Sequence, residues 1–379
     1  MPSAPRITTG TAITGAGVWH PEHVLTNQEL CEAFNEFVRR ENAKNAAAIA
    51  AGTAQPLKES SPEFILKASG IEQRYVLDKT GVLDPERMCP NLPERPDDQL
   101  AIQAEMAVYA IQRALGAAGR TGEDVDLVVC GASMMQRQYP ALAIEIQNAI
   151  GARGFGFDLT LGCSSATAAM QMASNAIRSG TATCAVAVAP DIMTGHNNWR
   201  ERDGHFLFGD AAVAVVIEPI ERARPGAWEI LSTRAQSKWS ANIRNNFGFL
   251  NRCDPATQFA PDKLFYQAGR RVYKDVVPAA SKFIADHVAA HALAPQQVAR
   301  YWLHQANQNM NDLIAERVLG RAATREEAPV IITEYGNTAS AGAPIAFTLH
   351  SDDLPAGSIG LMVSFGAGYS FGSLLVQRI

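Results

Sequence analysis

The sequence predicts an α/β fold built from two similar halves. Short apolar runs bounded by Gly and Pro alternate with helical stretches. Those runs are apolar on both faces, as in strands buried inside a layered sheet. After Pro225 the same alternation begins again. A chain of 379 residues also exceeds one ordinary core. We therefore expect residues 1–222 and 223–379 to run through similar strand and helix orders, with no sequence repeat clear enough to prove duplication.

In the first half, DLVVCGASM (126–134), GFDLTL, TCAVAVAPDIM (183–193) and AAVAVVIEP (211–219) read as strands, with helices over IEIQNAIG and up to Arg178. Between Asn35 and Pro62 the text turns Ala-rich and charged, which predicts an inserted helix and loop capping one surface. The Pro-rich, polar segment 78–98 predicts an exposed connection. In the second half, AWEILSTRAQ, RYWLHQAN and VIITEYG read as strands. A long helical region spans about Asp262 to Ala292, and further helices end at Gly320 and follow Asn337. The closing run SIGLMVSFGAGYSFGSLLVQRI is an apolar strand broken by a Gly-bracketed turn.

With 47% hydrophobic residues, 19% charged residues and a net charge of -5, the chain has no global attraction to nucleic acid. The N-terminal text carries neither a targeting pattern nor a spanning segment, so a cytoplasmic protein without membrane contact is expected. Six cysteines lie far apart with no C-x-x-C pair, which predicts neither a metal site nor a disulfide framework. Cys31, Cys89, Cys130, Cys184 and Cys253 read as core or loop residues.

Cys163 differs. In DLTLGCSSATAAM it sits where a strand ends and a helix of small residues begins, with Gly162 permitting the bend. A thiol of ordinary pKa is only ~3% ionised at neutral pH, and making it mostly thiolate needs roughly 2 to 3 kcal/mol. A helix N-terminus supplies ~0.3 to 1 kcal/mol and burial opposes ionisation, so a further partner is required. His304 ends the strand RYWLHQAN, where ligand-facing groups of α/β sheets gather. Asn337 follows Gly336 and precedes another small-residue helix, where it also suits a helix cap. SFGAGYSFG (364–372) offers backbone N–H groups to a developing oxyanion.

Together these motifs resemble the thiolase-fold condensing enzymes, most closely the β-ketoacyl-acyl-carrier-protein synthase III family. The resemblance runs through ITGAGVWHPEHVLTN, SGIEQRYV, DLTLGCSSA, FLFGDAAVAVV, LHQANQ, EYGNTASAG and SFGAGYSFGSLLV. It implies a thiolase-like five-layer α-β-α-β-α fold, a homodimer and a triad of Cys163, His304 and Asn337. It also implies acylation of Cys163 by acyl-CoA, then decarboxylative condensation with malonyl-acyl carrier protein in fatty acid biosynthesis. Phe365, Gly366, Ala367 and Gly368 would form the site wall and oxyanion hole. No cofactor or metal is implied, CoA thioester being a substrate.

Departures from the family bear on substrate and partner. Phe64 and Ala68 stand where a Trp and an Arg often flank the CoA adenine, while Arg202 remains. Asn309 replaces a basic residue after the His-Gln-Ala-Asn motif, whereas Arg270, Arg271 and Lys274 lie on one helical stretch suited to an acidic carrier protein or to a solvated face. Tyr139 matches a position that reaches across the dimer to the acyl pocket. The 35–62 insertion resembles a subgroup that accepts medium-chain primers and is expected to help cover about eight carbons. Related synthases making polyketide, quinolone or hydroxymethylglutaryl-type products share Cys, His and sometimes Asn, so the second substrate discriminates. A non-catalytic partner would lack the nucleophile.

Overall fold

The computed structural model describes residues 10–246 and 248–379. The first nine residues of the N-terminal stretch read above for a targeting pattern lie outside them. The first part of the chain runs β1 (Thr11–Trp19), β2 (His23–Thr26), α1 (Asn27–Lys44), α2 (Ala46–Ala50), α3 (Pro62–Ser69), β3 (Gln73–Val76) and α4 (Thr80–Leu83). It continues through α5 (Ile102–Ala118), β4 (Leu127–Gly131), α6 (Leu142–Ala149), β5 (Phe155–Leu159), α7 (Ser165–Arg178), β6 (Ala185–Asp191) and β7 (Ala211–Pro219). The remainder comprises β8 (Trp228–Ser240), β9 (Ile243–Arg244), β10 (Tyr266–Gln267), α8 (Gly269–Ala289), β11 (Arg300–Leu303) and α9 (Gln308–Leu319). It ends with α10 (Ile332–Tyr335), α11 (Gly342–Leu349), β12 (Ile359–Gly366) and β13 (Gly368–Arg378).

Nine strands form one mixed sheet in the order β11-β12-β13-β8-β1-β7-β6-β4-β5. Its two parts join at a seam of two residue pairs, Ala12 with Glu229 and Ile13 with Trp228. Outward from the seam each part repeats the same relations. β1 and β7 are antiparallel, as are β7 and β6, and β6 runs parallel to β4. β8 and β13, then β13 and β12, are likewise antiparallel, and β12 runs parallel to β11. The first part adds the parallel edge strand β5. Among the described residues the second has no counterpart, and the expected strand VIITEYG is instead the single helical turn α10. Apolar content alone does not distinguish a short strand from a buried helical turn.

Alternating residues of the buried strands feed different cores. Val128, Val186 and Val216 pack against α5 and α6 on one outer face. Val129, Val213, Met362 and Leu374 close on α7 and α11 in the middle. Leu361, Val363 and Leu375 meet α8 and α9 on the other outer face. The result is five layers, α-β-α-β-α. Ala166, Ala169 and Ala173 let α7 sit flush between sheet parts, so enlarging any of them forces shifts that typically cost ~1 to 3 kcal/mol.

The long second-half helix starts at Gly269, later than Asp262, because residues 266–267 pair with β9. The insertion continues α1 to Lys44 and returns beside it. Asn35 brackets Ser60, donating to its carbonyl at 3.0 Å and accepting from its N–H at 2.8 Å. Asn42 brackets Leu57 in the same way, at 3.0 and 2.8 Å. The 78–98 connection is not wholly exposed, since Val82 and Met88 are buried. Arg74, from SGIEQRYV, is fully buried and donates to the Leu25 and Phe206 carbonyls and to Asn27 Oδ1. Burial lowers its guanidinium pKa to about 9. Asp210, the turn residue of FLFGDAAVAVV, accepts from the N–H groups of Leu77 and Thr194.

Candidate active site

The turn before α7 sets the position of the sulfur. Gly162 has φ +54, and Ser165 Oγ closes the loop by accepting from Leu161 N–H at 2.7 Å while donating to the Gly162 carbonyl at 2.7 Å. Ser370 of β13 donates to the Leu161 carbonyl at 3.0 Å and to Ser164 Oγ at 3.1 Å, tying the two halves together beside Cys163. The backbone N–H groups of Cys163 and Ala367 both point at the Cys163 sulfur. Close packing makes Gly366 mandatory, since a Cβ there would stand 2.5 Å from Cys163 Cβ and 2.7 Å from Sγ.

Burial, and next the negative Asp191 carboxylate, push the Cys163 thiol up to about 12, outweighing the backbone donors. The expected helix-end thiolate is therefore a neutral thiol at rest. His304, immediately after β11, is buried, and desolvation lowers its pKa to about 4. It is a neutral imidazole with its ring edge-on to Phe365, 5.3 Å between centroids. Thiol and imidazole thus form no ion pair.

The parallel bridge between Phe208 and Asn337 fixes Asn337: its N–H donates to the Leu207 carbonyl at 2.8 Å, and its carbonyl accepts from Gly209 N–H at 3.2 Å. Its Oδ1 accepts from Ala339 N–H at 2.9 Å, which leaves the Nδ2 amide hydrogens available to the cavity. Gln305 braces both companions. Its Oε1 accepts from Ile331 and Ile332 N–H, and its Nε2 donates to the Leu303 carbonyl.

Cys163, His304, Asn337, Phe365, Gly366 and Ala367 all line one cavity of ≈ 450 Å³. Gly368 lies outside that wall. Met134, Met193, Phe208, Phe265, Val276 and Met310 supply apolar lining. Apart from Phe208, which lies in FLFGDAAVAVV, no local motif marked these residues; their scattered positions meet only in the fold.

The comparisons with known proteins agree with this geometry. Residues 157–238 match the model of 3-oxoacyl-[acyl-carrier-protein] synthase III, and residues 288–378 match the C-terminal model of the same enzyme. The β-ketodecanoyl-[acyl-carrier-protein] synthase of Pseudomonas aeruginosa is 51% identical over 348 residues, covering 92% of this chain and 99% of that protein. The chain belongs to the 3-oxoacyl-[acyl-carrier-protein] synthase III family. A β-ketoacyl-[acyl-carrier-protein] synthase III of Gloeobacter violaceus is 30% identical over 378 residues, covering 96% of this chain and 97% of that protein. Among solved structures, the 3-oxoacyl-[acyl-carrier-protein] synthase III of Aquifex aeolicus superposes with a TM-score of 0.75 at 24% identity, covering 97% of this chain and 100% of that one. These are thiolase-fold enzymes, and this chain is a condensing acyltransferase of the same kind.

For a synthase III, the remaining expected residues divide between mouth and surface. The Arg202 guanidinium lies 3.7 Å over the Phe64 ring, and its Nε donates to the Glu59 carbonyl at 2.6 Å. Glu59, and Ser61 Oγ accepting from Phe64 N–H at 3.2 Å, link the insertion to the mouth. No residue of 35–62 lines the cavity, so the insertion does not cover an acyl chain directly. Along α8 the period of the helix separates two roles: Gly269, Val272, Tyr273 and Val276 face the cavity, whereas Arg270, Arg271 and Lys274 are exposed. Asn309 donates to the Lys67 carbonyl at 3.2 Å. Tyr139 is 86% exposed and does not line its own chain's cavity. Among the described residues, no group of three His, Cys, Asp or Glu is arranged to hold a metal, and no helix is long and apolar enough to cross a membrane.

Proposed function

We propose that the chain condenses a medium-chain acyl-CoA with malonyl-acyl carrier protein, with Cys163, His304 and Asn337 as the catalytic triad. The observation that carries this reading is one apolar cavity in which a sulfur, two backbone donors aimed at it, a neutral imidazole and a carboxamide with free N–H groups converge. Cys163 Sγ attacks the acyl-CoA carbonyl, and the N–H groups of Cys163 and Ala367 receive the oxyanion. CoA departs as the thiol, carrying the proton that Cys163 gives up, and the acyl group stays on sulfur.

Malonyl-carrier protein then places its thioester oxygen at His304 Nε2–H and Asn337 Nδ2–H. The bond to the carboxylate breaks, CO₂ leaves, and its electron pair becomes the enolate that these neutral donors stabilise. The enolate carbon attacks the acyl-Cys carbonyl and expels the Cys163 thiolate, which takes up a proton. Phe365 and its apolar neighbours keep water from both intermediates.

A relative named for a β-ketodecanoyl product points to an eight-carbon primer extended by two carbons. Methionine and aromatic lining suits such a chain, each buried CH₂ adding ~0.8 kcal/mol. The Phe64–Arg202 pair stands where CoA would dock, and exposed Arg270, Arg271 and Lys274 flank the mouth where an acidic carrier would approach. A homodimer is favoured by the edge strand β5, which exposes Phe155 and Phe157 beside α6, where Ile144 is also exposed. Tyr139 would then reach the partner's acyl pocket.

The test is product mass from malonyl-carrier protein and a ladder of acyl-CoA primers. We expect β-ketodecanoyl-carrier protein from octanoyl-CoA at higher kcat/KM than product from acetyl-CoA. A preference for acetyl-CoA overturns the primer assignment. A product released from the carrier overturns the reaction in favour of a polyketide-type synthase.

A further inference from the structure

Beside the sulfur stand two polar residues that the triad does not use. Ser133, in the loop after β4, lines the cavity. Its buried hydroxyl makes no hydrogen bond at rest, and it is one of the groups near enough to favour the ionised form of the Cys163 thiol. Its backbone N–H donates to Asp191 Oδ1 at 2.7 Å. Asp191 closes β6 and is fully buried. Its Oδ2 accepts from Ser340 N–H at 2.9 Å and from Ser340 Oγ–H at 2.5 Å, and the Ala341 N–H also donates to the carboxylate. Ser340 belongs to the turn whose first residue, Ala339, is held by Asn337 Oδ1.

One carboxylate therefore fixes two flanks of the site. On one side it holds the Ser133 backbone in the cavity wall that Ser133 shares with Cys163, and on the other it anchors the turn that presents the Asn337 amide. Among the described residues it has no ion-pair partner, so a negative charge sits buried close to a sulfur that must itself become negative. Such an arrangement opposes ionisation of the thiol, and its four donors are what hold it there. Of the other titratable groups lining the cavity, burial keeps His196 and His304 neutral, while Asp203, Arg244 and Tyr273 are exposed.

We propose that the Ser133 hydroxyl is a further catalytic residue, donating a hydrogen bond to the Cys163 sulfur whenever charge builds there, and that Asp191 is the positioning residue for both Ser133 and Asn337. Charge builds on sulfur twice under the reading above: on attack at acyl-CoA, and on expulsion of the thiolate after condensation. Ser133 keeps its proton throughout. The thiol proton leaves with CoA in the first step and returns from solvent in the second.

The test reads Cys163 alkylation by iodoacetamide across pH, with adduct position checked by peptide mass. It involves neither acyl-CoA nor carrier protein, so it stands even if the product assignment fails. Ser133→Ala is expected to react about tenfold more slowly at pH 8, with its profile displaced upward, as loss of a hydrogen bond to a charged group implies. Ser133→Thr, which keeps the hydroxyl, should react within about twofold of wild type. Asp191→Asn should separate two readouts: alkylation moves to lower pH because the repelling charge is gone, whereas condensation slows because the Asn337 turn is loosened. Wild-type profiles for Ser133→Ala overturn the role of Ser133. An Asp191→Asn protein in which both readouts fall together, or neither changes, overturns the positioning role. Should that variant not fold, Ser133→Ala against Ser133→Thr still decides the first claim.

Discussion

The two parts of the sheet repeat each other strand for strand until the outer edge, and there they diverge. The first part ends in β5, parallel to β4. In the second part the chain that would supply the matching strand makes the turn α10 and then crosses to pair Asn337 with Phe208. Forgoing an edge strand brings a carboxamide to the cavity. The chemistry divides along the same line. The N-terminal part contributes a sulfur under pressure from a buried carboxylate, whereas the C-terminal part contributes neutral donors: an imidazole, an amide and the Ala367 N–H.

That division predicts which step each half controls. Replacing His304 or Asn337 by Ala should slow condensation by about 10² to 10³, the usual cost of losing a charge-stabilising donor. Acylation of Cys163 from acyl-CoA should persist, and stopped-flow acylation followed by malonyl-carrier discharge separates the two. Gly366→Ala should cut acylation itself by a comparable or smaller factor, because the new methyl falls within 2.7 Å of the sulfur. Thermal melting should then show a loss of about 1 to 3 kcal/mol from overpacking.

Reversing the charges of Arg270, Arg271 and Lys274 to Glu should raise KM for malonyl-carrier protein about tenfold and flatten its dependence on salt. An unchanged salt dependence would place the carrier elsewhere on the surface.

The smallest effect concerns acid stability. His304 and His287 have folded pKa values of about 4, and His205 of about 3, each lowered chiefly by burial. The stability they contribute is complete above their unfolded pKa of ~6.5 and is lost as pH falls toward the folded values. Asp191 and Asp210, raised to about 6 by burial, act oppositely between pH ~4 and 6. The histidines outnumber the carboxylates, so the urea midpoint should fall between pH 7 and pH 5, by a net amount on the order of 2 kcal/mol. His287→Gln should shrink the fall, placing most of the acid sensitivity in the C-terminal part.

Much of this arrangement is legible in the sequence. Strands buried on both faces announce themselves as runs such as AAVAVVIEP, because no polar face interrupts them. Cys163, His304 and Asn337 each stand beside a Gly or a strand end in otherwise apolar text. What stays hidden depends on burial or on distance. The neutral state of Cys163 follows from desolvation and from Asp191, 28 positions along the chain, and neither can be read from a helix N-terminus alone. VIITEYG has a strand's composition, and apolar content alone does not separate a short strand from the buried helical turn that residues 332–335 form. The insertion's Ala-rich text suggested an apolar cover, yet it meets the mouth from behind, through the Glu59 carbonyl holding Arg202, the Ser61 hydroxyl capping the helix of Phe64, and Phe37 and Val38 in the cluster behind the wall. Ser133, a single hydroxyl in a loop, has no spacing that marks it.

The division of labour is tested most directly by intact-protein mass after mixing with octanoyl-CoA alone and then with malonyl-carrier protein. A neutral Cys163 thiol in a cavity shared by both halves predicts one octanoyl adduct on wild type, discharged by the carrier. It predicts none on Cys163→Ala, and a lasting adduct on His304→Ala and Asn337→Ala. An adduct on Cys163→Ala, or prompt discharge from both donor variants, would contradict it.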